Sequence, residues 1–258
     1  MIDFFYSLNP AIQSLLACTL GLIGTSIGAA SVFLFKKYNK TILDSFLSLS
    51  AGVMIAASFF SLINPAIEMA ESLKQTPIIV LLIGILGGTF LLFLGDKFFQ
   101  KKINKSKRIS LLIFSIVLHN IPEGMAVGVA FGSVIYGLNG ATIGAALTLA
   151  IGIAIQNFPE GSAISLPLLG SGYSKTKAFL IGSLSAIVEP IFGIIGAILV
   201  LKVKYILPYL LAFAAGAMLY VVVEEIIPES QNTEKKDLMA LITIIGFSIM
   251  MILDIVLS

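Results

Sequence analysis

The chain has 258 residues, of which 58% are hydrophobic and only 12% are charged, and its mean hydropathy is +1.04. This composition excludes a water-soluble globular domain, because too few polar residues remain to cover a surface around one core. A formal net charge of +2 gives no reason to expect nucleic acid as a partner. The sequence therefore predicts an integral membrane protein.

Eight apolar segments follow one another along the chain, each long enough for the roughly 20 residues that a helix needs to cross a bilayer. They lie near residues 10–35, 42–66, 77–99, 110–135, 141–168, 178–201, 207–228 and 239–257. Short polar loops separate them and leave no room for a soluble domain. We therefore predict a single transmembrane domain over residues 1–258, an all-α polytopic bundle of eight transmembrane helices.

The distribution of basic residues predicts the orientation of these helices. Thirteen of the sixteen Lys and Arg residues fall in the loops after the first, third, fifth and seventh segments. Because cytoplasmic loops carry an excess of Lys and Arg, those four loops are predicted to be cytoplasmic and both termini extracytoplasmic. We expect a multi-pass protein of the plasma (inner) membrane.

The second and seventh segments share a short pattern. Ala51-Gly52-Val53-Met54 is followed by Pro65 and Glu68, and Ala215-Gly216-Ala217-Met218 is followed by Pro228 and Glu229. With the orientation above, these two segments run in opposite directions, as an inverted repeat requires. A pattern of small residues this short also arises by chance, so the sequence leaves both interpretations open.

Two six-residue motifs, His119-Asn120-Ile121-Pro122-Glu123-Gly124 and Gln156-Asn157-Phe158-Pro159-Glu160-Gly161, lie inside the fourth and fifth segments. Polar side chains are costly inside a membrane, so a repeated polar pattern there indicates a buried ion site. On a helix, the first and fifth residues of each motif project from one face, and the second lies about 100° around it. Two such helices that face each other would present two neighbouring sets of ligands.

A proline in each motif predicts a bend in both central helices. Pro122 cannot donate a hydrogen bond to the carbonyl of Leu118, and Pro159 cannot donate to that of Ile155. Free backbone carbonyls are not tolerated against lipid, so these faces are predicted to meet protein or a water-filled path.

Each of these polar residues also has a structural interpretation. The histidine and the glutamates of the motifs, and Glu189 in Val188-Glu189-Pro190, would serve as hydrogen-bonding groups between helices. The three amides would act as polar contacts between helices in the same way. Met54 would pack as an ordinary core residue.

The two motifs, together with Val188-Glu189-Pro190 in the sixth segment, resemble those of the ZIP (Zrt/Irt-like) divalent metal transporters, and within them the GufA-like branch. The resemblance covers essentially the whole chain. It implies a binuclear metal centre lined by the fourth and fifth helices. The first site would consist of Met54, His119, Glu123, Gln156, Glu160 and Glu189. The second would consist of Asn120, Glu123, Asn157 and Glu160, with the two glutamates bridging. Some relatives have Asp where Asn157 stands, which makes the second site of this chain less anionic.

The chemistry of these side chains agrees with that implication. Zinc accepts imidazole nitrogen and carboxylate oxygen as ligands, whereas amide and thioether donors bind it more weakly. Such a mixed set suits an ion that must be released again. Buried carboxylates close together need a dication or protons for balance, so metal entry should displace protons and uptake should weaken at low pH.

Polar residues at two segment ends are predicted to guide the metal. Asn64 and Glu68, at the outer end of the second segment, would lead it inward from outside. Glu224 and Glu225, near the cytoplasmic end of the seventh segment, would lead it onward to the cytosol. For each pair, a simple position at the membrane interface is the alternative.

We therefore expect a divalent metal transporter, not an enzyme, that carries Zn²⁺ into the cytoplasm, with Fe²⁺, Mn²⁺ and Cd²⁺ as further candidate substrates. Because no nucleotide-binding loop is present, a gradient rather than ATP would drive transport. The expected partners are divalent ions and the lipid bilayer, and a homodimer is a candidate assembly. The alternatives are an intramembrane metalloenzyme with a His/Glu-bound zinc, and a metal-sensing or purely structural membrane protein. Against the enzyme stand the missing HExxH spacing and the single histidine.

Overall fold

The computed structural model describes residues 5, 7–34, 40–100, 106–137 and 141–257, without the side chains of residues 96, 98–100, 106–112, 115, 119 and 257. Over these ranges the chain forms helices and no strand. The long helices are α1 (Pro10–Phe33), α2 (Lys40–Ser72), α3 (Pro77–Gln100), α4 (Ser106–Ile135), α5 (Ile143–Gly170), α6 (Lys175–Ile198), α7 (Leu207–Ser230) and α8 (Lys236–Leu257), and a single turn (Val200–Val203) follows α6.

All of these helices except α4 are long and apolar enough to cross a membrane, which gives seven candidate spans among the described residues. The structure does not describe some of the side chains of α4, which is 30 residues long. The predicted class, an all-α polytopic membrane protein, is confirmed. The number of eight crossings stays a prediction.

Capping residues mark where three of the helices begin. The side-chain oxygens of Asn9, Thr142 and Ser174 each accept a hydrogen bond from a backbone N–H in the first turn of α1, α5 and α6. These N–H groups have no partner within the helix, so a side-chain acceptor satisfies them.

The helices pack in four close pairs, α1 with α5, α4 with α6, α3 with α7 and α2 with α8. Glycines allow the close approach. A Cβ atom added at Gly161 of α5 would overlap the Thr25 carbonyl of α1, and one at Gly128 of α4 would overlap the Gly193 carbonyl of α6. Small residues that let two backbones approach in this way are typical of contacts between membrane helices.

The helices differ in how deeply they lie in the bundle. The most apolar windows of α2 and α7 are 67% and 56% buried, whereas those of α3 and α8 are 22% and 17% buried. The inner helices share a cluster of buried apolar residues that includes Met54, Leu62, Ile164 and Met218. Helices α3 and α8 therefore form the outside of the bundle and present apolar side chains to lipid.

Short changes of helical type interrupt α2, α6 and α7, and the last turn of α1, Ala30–Phe33, is a 3₁₀ helix. Residues Ser58–Ile63 of α2 and Val222–Ile226 of α7 form π-helical turns, and Ser185–Ile187 of α6 forms a 3₁₀ turn. Each π-helical turn begins four residues after the methionine of the shared pattern. Such turns occur often at functional sites, and the 3₁₀ turn comes directly before Val188-Glu189-Pro190.

Candidate metal centre

Three acidic side chains lie inside the bundle, away from solvent. Glu123 of α4, Glu160 of α5 and Glu189 of α6 each expose 1% or less of their surface. Pro122 and Pro159 lie within continuous helices, and each is followed directly by one of these acids. The bend at each proline stays a prediction.

A hydrogen bond joins the two motifs across α4 and α5. Gln156 Nε2 donates to Glu123 Oε1 at 2.5 Å. Gln156 precedes Glu160 by four residues, so the two side chains share a face of α5. Gly124, directly after Glu123, lies against α6, because a Cβ atom added there would overlap the backbone carbonyl of Glu189. Helices α4, α5 and α6 thus bring their acids to one buried region.

A second amide-carboxylate pair holds the α6 acid. Asn157 Nδ2 donates to Glu189 Oε1 at 2.6 Å. The backbone of Gly21 in α1 lies behind this pair, since a Cβ atom there would overlap Glu189 Oε2 and lie 2.9 Å from Asn157 Nδ2. The first helix therefore forms one wall of the centre, which the sequence did not indicate.

The three amides of the motifs each keep a buried oxygen without a hydrogen-bond partner. Asn120 Nδ2 donates to the carbonyl of Ser185 at 3.3 Å, in the 3₁₀ turn of α6. Its Oδ1, together with Gln156 Oε1 and Asn157 Oδ1, accepts no hydrogen bond. A buried acceptor without a donor costs about 1–3 kcal/mol, and a cation beside such an oxygen would offset that cost.

For two further predicted ligands, Met54 and His119, the role in binding stays a prediction. Met54 is 1% exposed and belongs to the buried apolar cluster, so its role as a ligand stays a prediction. The backbone of His119 lies in α4, but its side chain lies outside the described residues. Among the described side chains, no three of His, Cys, Asp and Glu form a group that could hold one metal ion. This agrees with a hydrogen-bonded arrangement in which amide N–H groups face two of the acids.

The predicted entrance residues line a cavity of about 750 Å³ between α2, α5 and α8. Asn64 and Glu68 are exposed in it, and they share it with Ser61 and Asp254. Ser61 Oγ donates to Asp254 Oδ2 at 3.1 Å. Asp254 was not among the predicted residues, although an acid inside the apolar last segment is a signal for a functional residue.

The predicted exit residues lie in the π-helical turn of α7. Glu224 is exposed and Glu225 is half-buried. Neither shares the full burial of the three central acids.

Comparison with known proteins places these observations in a family. The family model described as ZIP zinc transporter matches residues 100–254. The chain is 38% identical to "Zinc transporter ZIP11" of Xenopus tropicalis, with 99% of each chain covered. It is 32% identical to "Zinc transporter ZIPB" of Bordetella bronchiseptica over 91% of this chain and 78% of that one. It is also 32% identical to "Zinc transporter GufA" of Myxococcus xanthus, over 84% of this chain and 88% of that one. The resemblance seen in the motifs is thereby confirmed.

Proposed function

The chain belongs to the ZIP zinc transporter family, and on that premise we propose that it carries Zn²⁺ across the membrane through the buried centre of α4, α5 and α6. Its relatives are named as zinc transporters, so this chain is a transporter and not an enzyme. The centre is lined by the eight residues predicted from the motifs and the resemblance: Met54, His119, Asn120, Glu123, Gln156, Asn157, Glu160 and Glu189. Fe²⁺, Mn²⁺ and Cd²⁺ are further candidate substrates, since carboxylate and imidazole ligands accept them too.

One observation carries this proposal: three buried carboxylates lie in the same region as three amide oxygens that accept no hydrogen bond. Removing an ionised carboxylate from water costs several kcal/mol even after the protein relaxes. Three such groups close together add mutual repulsion. A divalent cation offsets both terms, and amide oxygens are further acceptors, so the donor set favours a cation over any anionic or neutral cargo.

The packing of the helices supports an inverted repeat around α4 and α5. Such a repeat would relate α1 to α6, α2 to α7, α3 to α8 and α4 to α5. The close pair α1–α5 would then correspond to the close pair α6–α4. The close pair α2–α8 would likewise correspond to the close pair α7–α3. The π-helical turns at matching positions of α2 and α7 also agree with it. In such folds, the substrate site lies near the bilayer midplane between the repeats.

We further propose eight crossings in one transmembrane domain of the plasma (inner) membrane, with both termini extracytoplasmic. The excess of basic residues in the predicted cytoplasmic loops supports this orientation. Metal then enters by the cavity that contains Asn64 and Glu68, and leaves past Glu224 and Glu225 into the cytoplasm. The predicted homodimer stays a prediction.

Within the centre, Glu123 and Glu160 are the residues that bind the ion. Gln156 donates an N–H to Glu123 in this structure, and rotation of its amide turns Oε1 toward the position of the ion. The amide thus exchanges a hydrogen bond for a metal contact as the ion arrives. An amide oxygen is a weak metal ligand, which allows the ion to be released on the other side of the membrane.

Zinc uptake by the purified chain in sealed proteoliposomes, reported by an internal zinc-sensitive dye, tests this proposal. Glu123→Ala and Glu160→Ala should each abolish uptake, while Glu71→Ala, at an exposed residue of α2, should not change it. Amounts of protein in the vesicles must be equal. Normal zinc flux in both central variants would refute the assignment of the centre.

A further inference from the structure

We infer that the centre holds one divalent ion at a time, because the hydrogen bond between Asn157 and Glu189 closes the position of a second ion. This inference rests on the proposed function and deepens it. It departs from the binuclear centre that the motifs imply, and it assigns Glu189 a positioning role beside the ion.

Asn157 is one of the ligands of the second predicted site, and its hydrogen bond to Glu189 competes with an ion there. Asn157 exposes none of its surface and Glu189 exposes 1%. At 2.6 Å, the contact from Asn157 Nδ2 to Glu189 Oε1 has the short length of a hydrogen bond to a carboxylate. In a buried site of low dielectric constant, such a bond is strong and the carboxylate is costly to leave without it.

The other oxygen of Glu189 is also engaged. Oε2 lies against the backbone of α1, where even a single methyl group at Gly21 would overlap it. One carboxylate oxygen is therefore bonded to Asn157 and the other faces a helix backbone. An ion placed between Asn157 and Glu189 would have to displace the hydrogen bond, and α1 leaves little room on the side of Oε2.

The residue type at position 157 explains why no ion is needed there. An aspartate would place two carboxylates within hydrogen-bond distance, and these repel unless a proton or a cation lies between them. Asparagine supplies its own N–H hydrogen to Glu189 instead. The amide takes the place of the cation that an acidic pair would require.

The Gln156–Glu123 pair differs from the Asn157–Glu189 pair in the ligands that it offers to an ion. An ion between these two side chains also reaches Glu160, which lies one helical turn from Gln156 on the same face of α5. Gln156 has one more rotatable bond than Asn157, so its amide turns more easily. The one position that offers two carboxylates and an adaptable amide is therefore on this side of the centre.

Counting the ions bound by the purified full-length chain tests the inference. After equilibrium dialysis against Zn²⁺ in detergent, metal analysis should find one ion per wild-type chain and two per Asn157→Asp chain. The matched variant is Gln13→Glu, which makes the same change from amide to acid at a buried residue of α1 outside the centre and leaves the Asn157–Glu189 bond intact, and it should bind one. Two ions on the wild type would overturn the inference. So would a second ion gained by Gln13→Glu, because added charge alone would then set the number.

A second measurement keeps the inference testable if Asn157→Asp does not fold. Glu189→Gln should weaken zinc binding about tenfold, as expected for a group that acts through its neighbours, whereas Glu160→Gln should weaken it more than about 100-fold. Equal losses would make Glu189 a ligand and contradict the inference. Failure of the proposed function looks different: the double variant Glu123→Ala, Glu160→Ala would then bind zinc as the wild type does.

Discussion

The acids of the buried centre and those of the two open ends belong to one bundle but lie in opposite environments. Glu123 and Glu160 expose 1% or less of their surface, whereas Glu68 in the entrance cavity and Glu224 in α7 are exposed. Water solvates the outer carboxylates whether or not a cation is present. The inner carboxylates depend on amides, on protons or on a cation for their balance.

This difference sets the size of the effect that each acid has on a cation. Two unit charges 4 Å apart interact by about 1 kcal/mol in bulk water. At an effective dielectric constant of 20, which also describes buried sites in proteins, they interact by about 4 kcal/mol. The same substitution of Glu by Gln should therefore matter far more inside than at the ends. On the proposed function, the outer acids would raise the local concentration of cations, and the inner acids would bind one.

The largest effect is expected for Glu160→Gln, which removes one central charge and keeps the size of the side chain. Zinc at 100 times its dissociation constant should stabilise the folded wild type by about 2.7 kcal/mol. If the variant binds 100-fold more weakly, the same zinc concentration should stabilise it by only about 0.4 kcal/mol. Thermal unfolding in detergent, with and without zinc, measures both.

Glu68→Gln is the matched variant, because it makes the same chemical change at an exposed position. It should keep the full zinc-dependent rise in unfolding temperature. If zinc raised the unfolding temperature of Glu160→Gln as much as that of the wild type, zinc would be stabilising the protein from some other site.

Much of the fold and of the centre follows from local sequence patterns. Apolar length alone predicts where the helices lie: the segment predicted near 77–99 corresponds to Pro77–Gln100, and that near 207–228 to Leu207–Ser230. The acids after Pro122 and Pro159 stand out because polar groups are rare and costly in such segments. No folded geometry is needed for these steps.

The other features of the fold and the centre depend on which helices face each other. The periodicity of a single helix carries no information about those contacts. The wall formed by Gly21 arises from the packing of α1 against α5 and α6, between residues distant in sequence. The hydrogen-bond direction from Asn157 to Glu189 likewise depends on a contact between helices. The π-helical turn of α2 carries no signal in composition, because its residues are as apolar as their surroundings.

A smaller effect is expected at the entrance. Removing the charges of Glu68 and Asp254 with Glu68→Gln and Asp254→Asn should raise the KM for zinc about threefold and leave the maximal rate unchanged, since attraction of the ion is lost and its binding site is intact. The amide at position 254 can still accept the hydrogen bond from Ser61 Oγ. Initial uptake rates at several zinc concentrations measure this.

Salt should distinguish attraction from binding at the entrance. The threefold difference should shrink at about 1 M salt, where the screening length falls to about 3 Å. Glu71→Gln, an exposed residue of α2 outside that cavity, should have no effect. A lower maximal rate at saturating zinc would instead place Glu68 or Asp254 in the binding machinery.

The smallest effect is expected at the exit, where the two neighbouring acids of α7 offer an internal comparison. Glu224 is exposed and Glu225 is half-buried in the π-helical turn, so water screens the first more strongly. Glu225→Gln should lower the maximal rate of zinc uptake by about twofold, and Glu224→Gln by less, because exposed charges contribute about 0–1 kcal/mol. Rates at saturating zinc in proteoliposomes measure both, with wild-type KM expected throughout.

A loss as large as that of Glu160→Gln at either position would mean that the ion binds tightly at the exit. The division between binding acids inside and guiding acids at the ends would then be wrong.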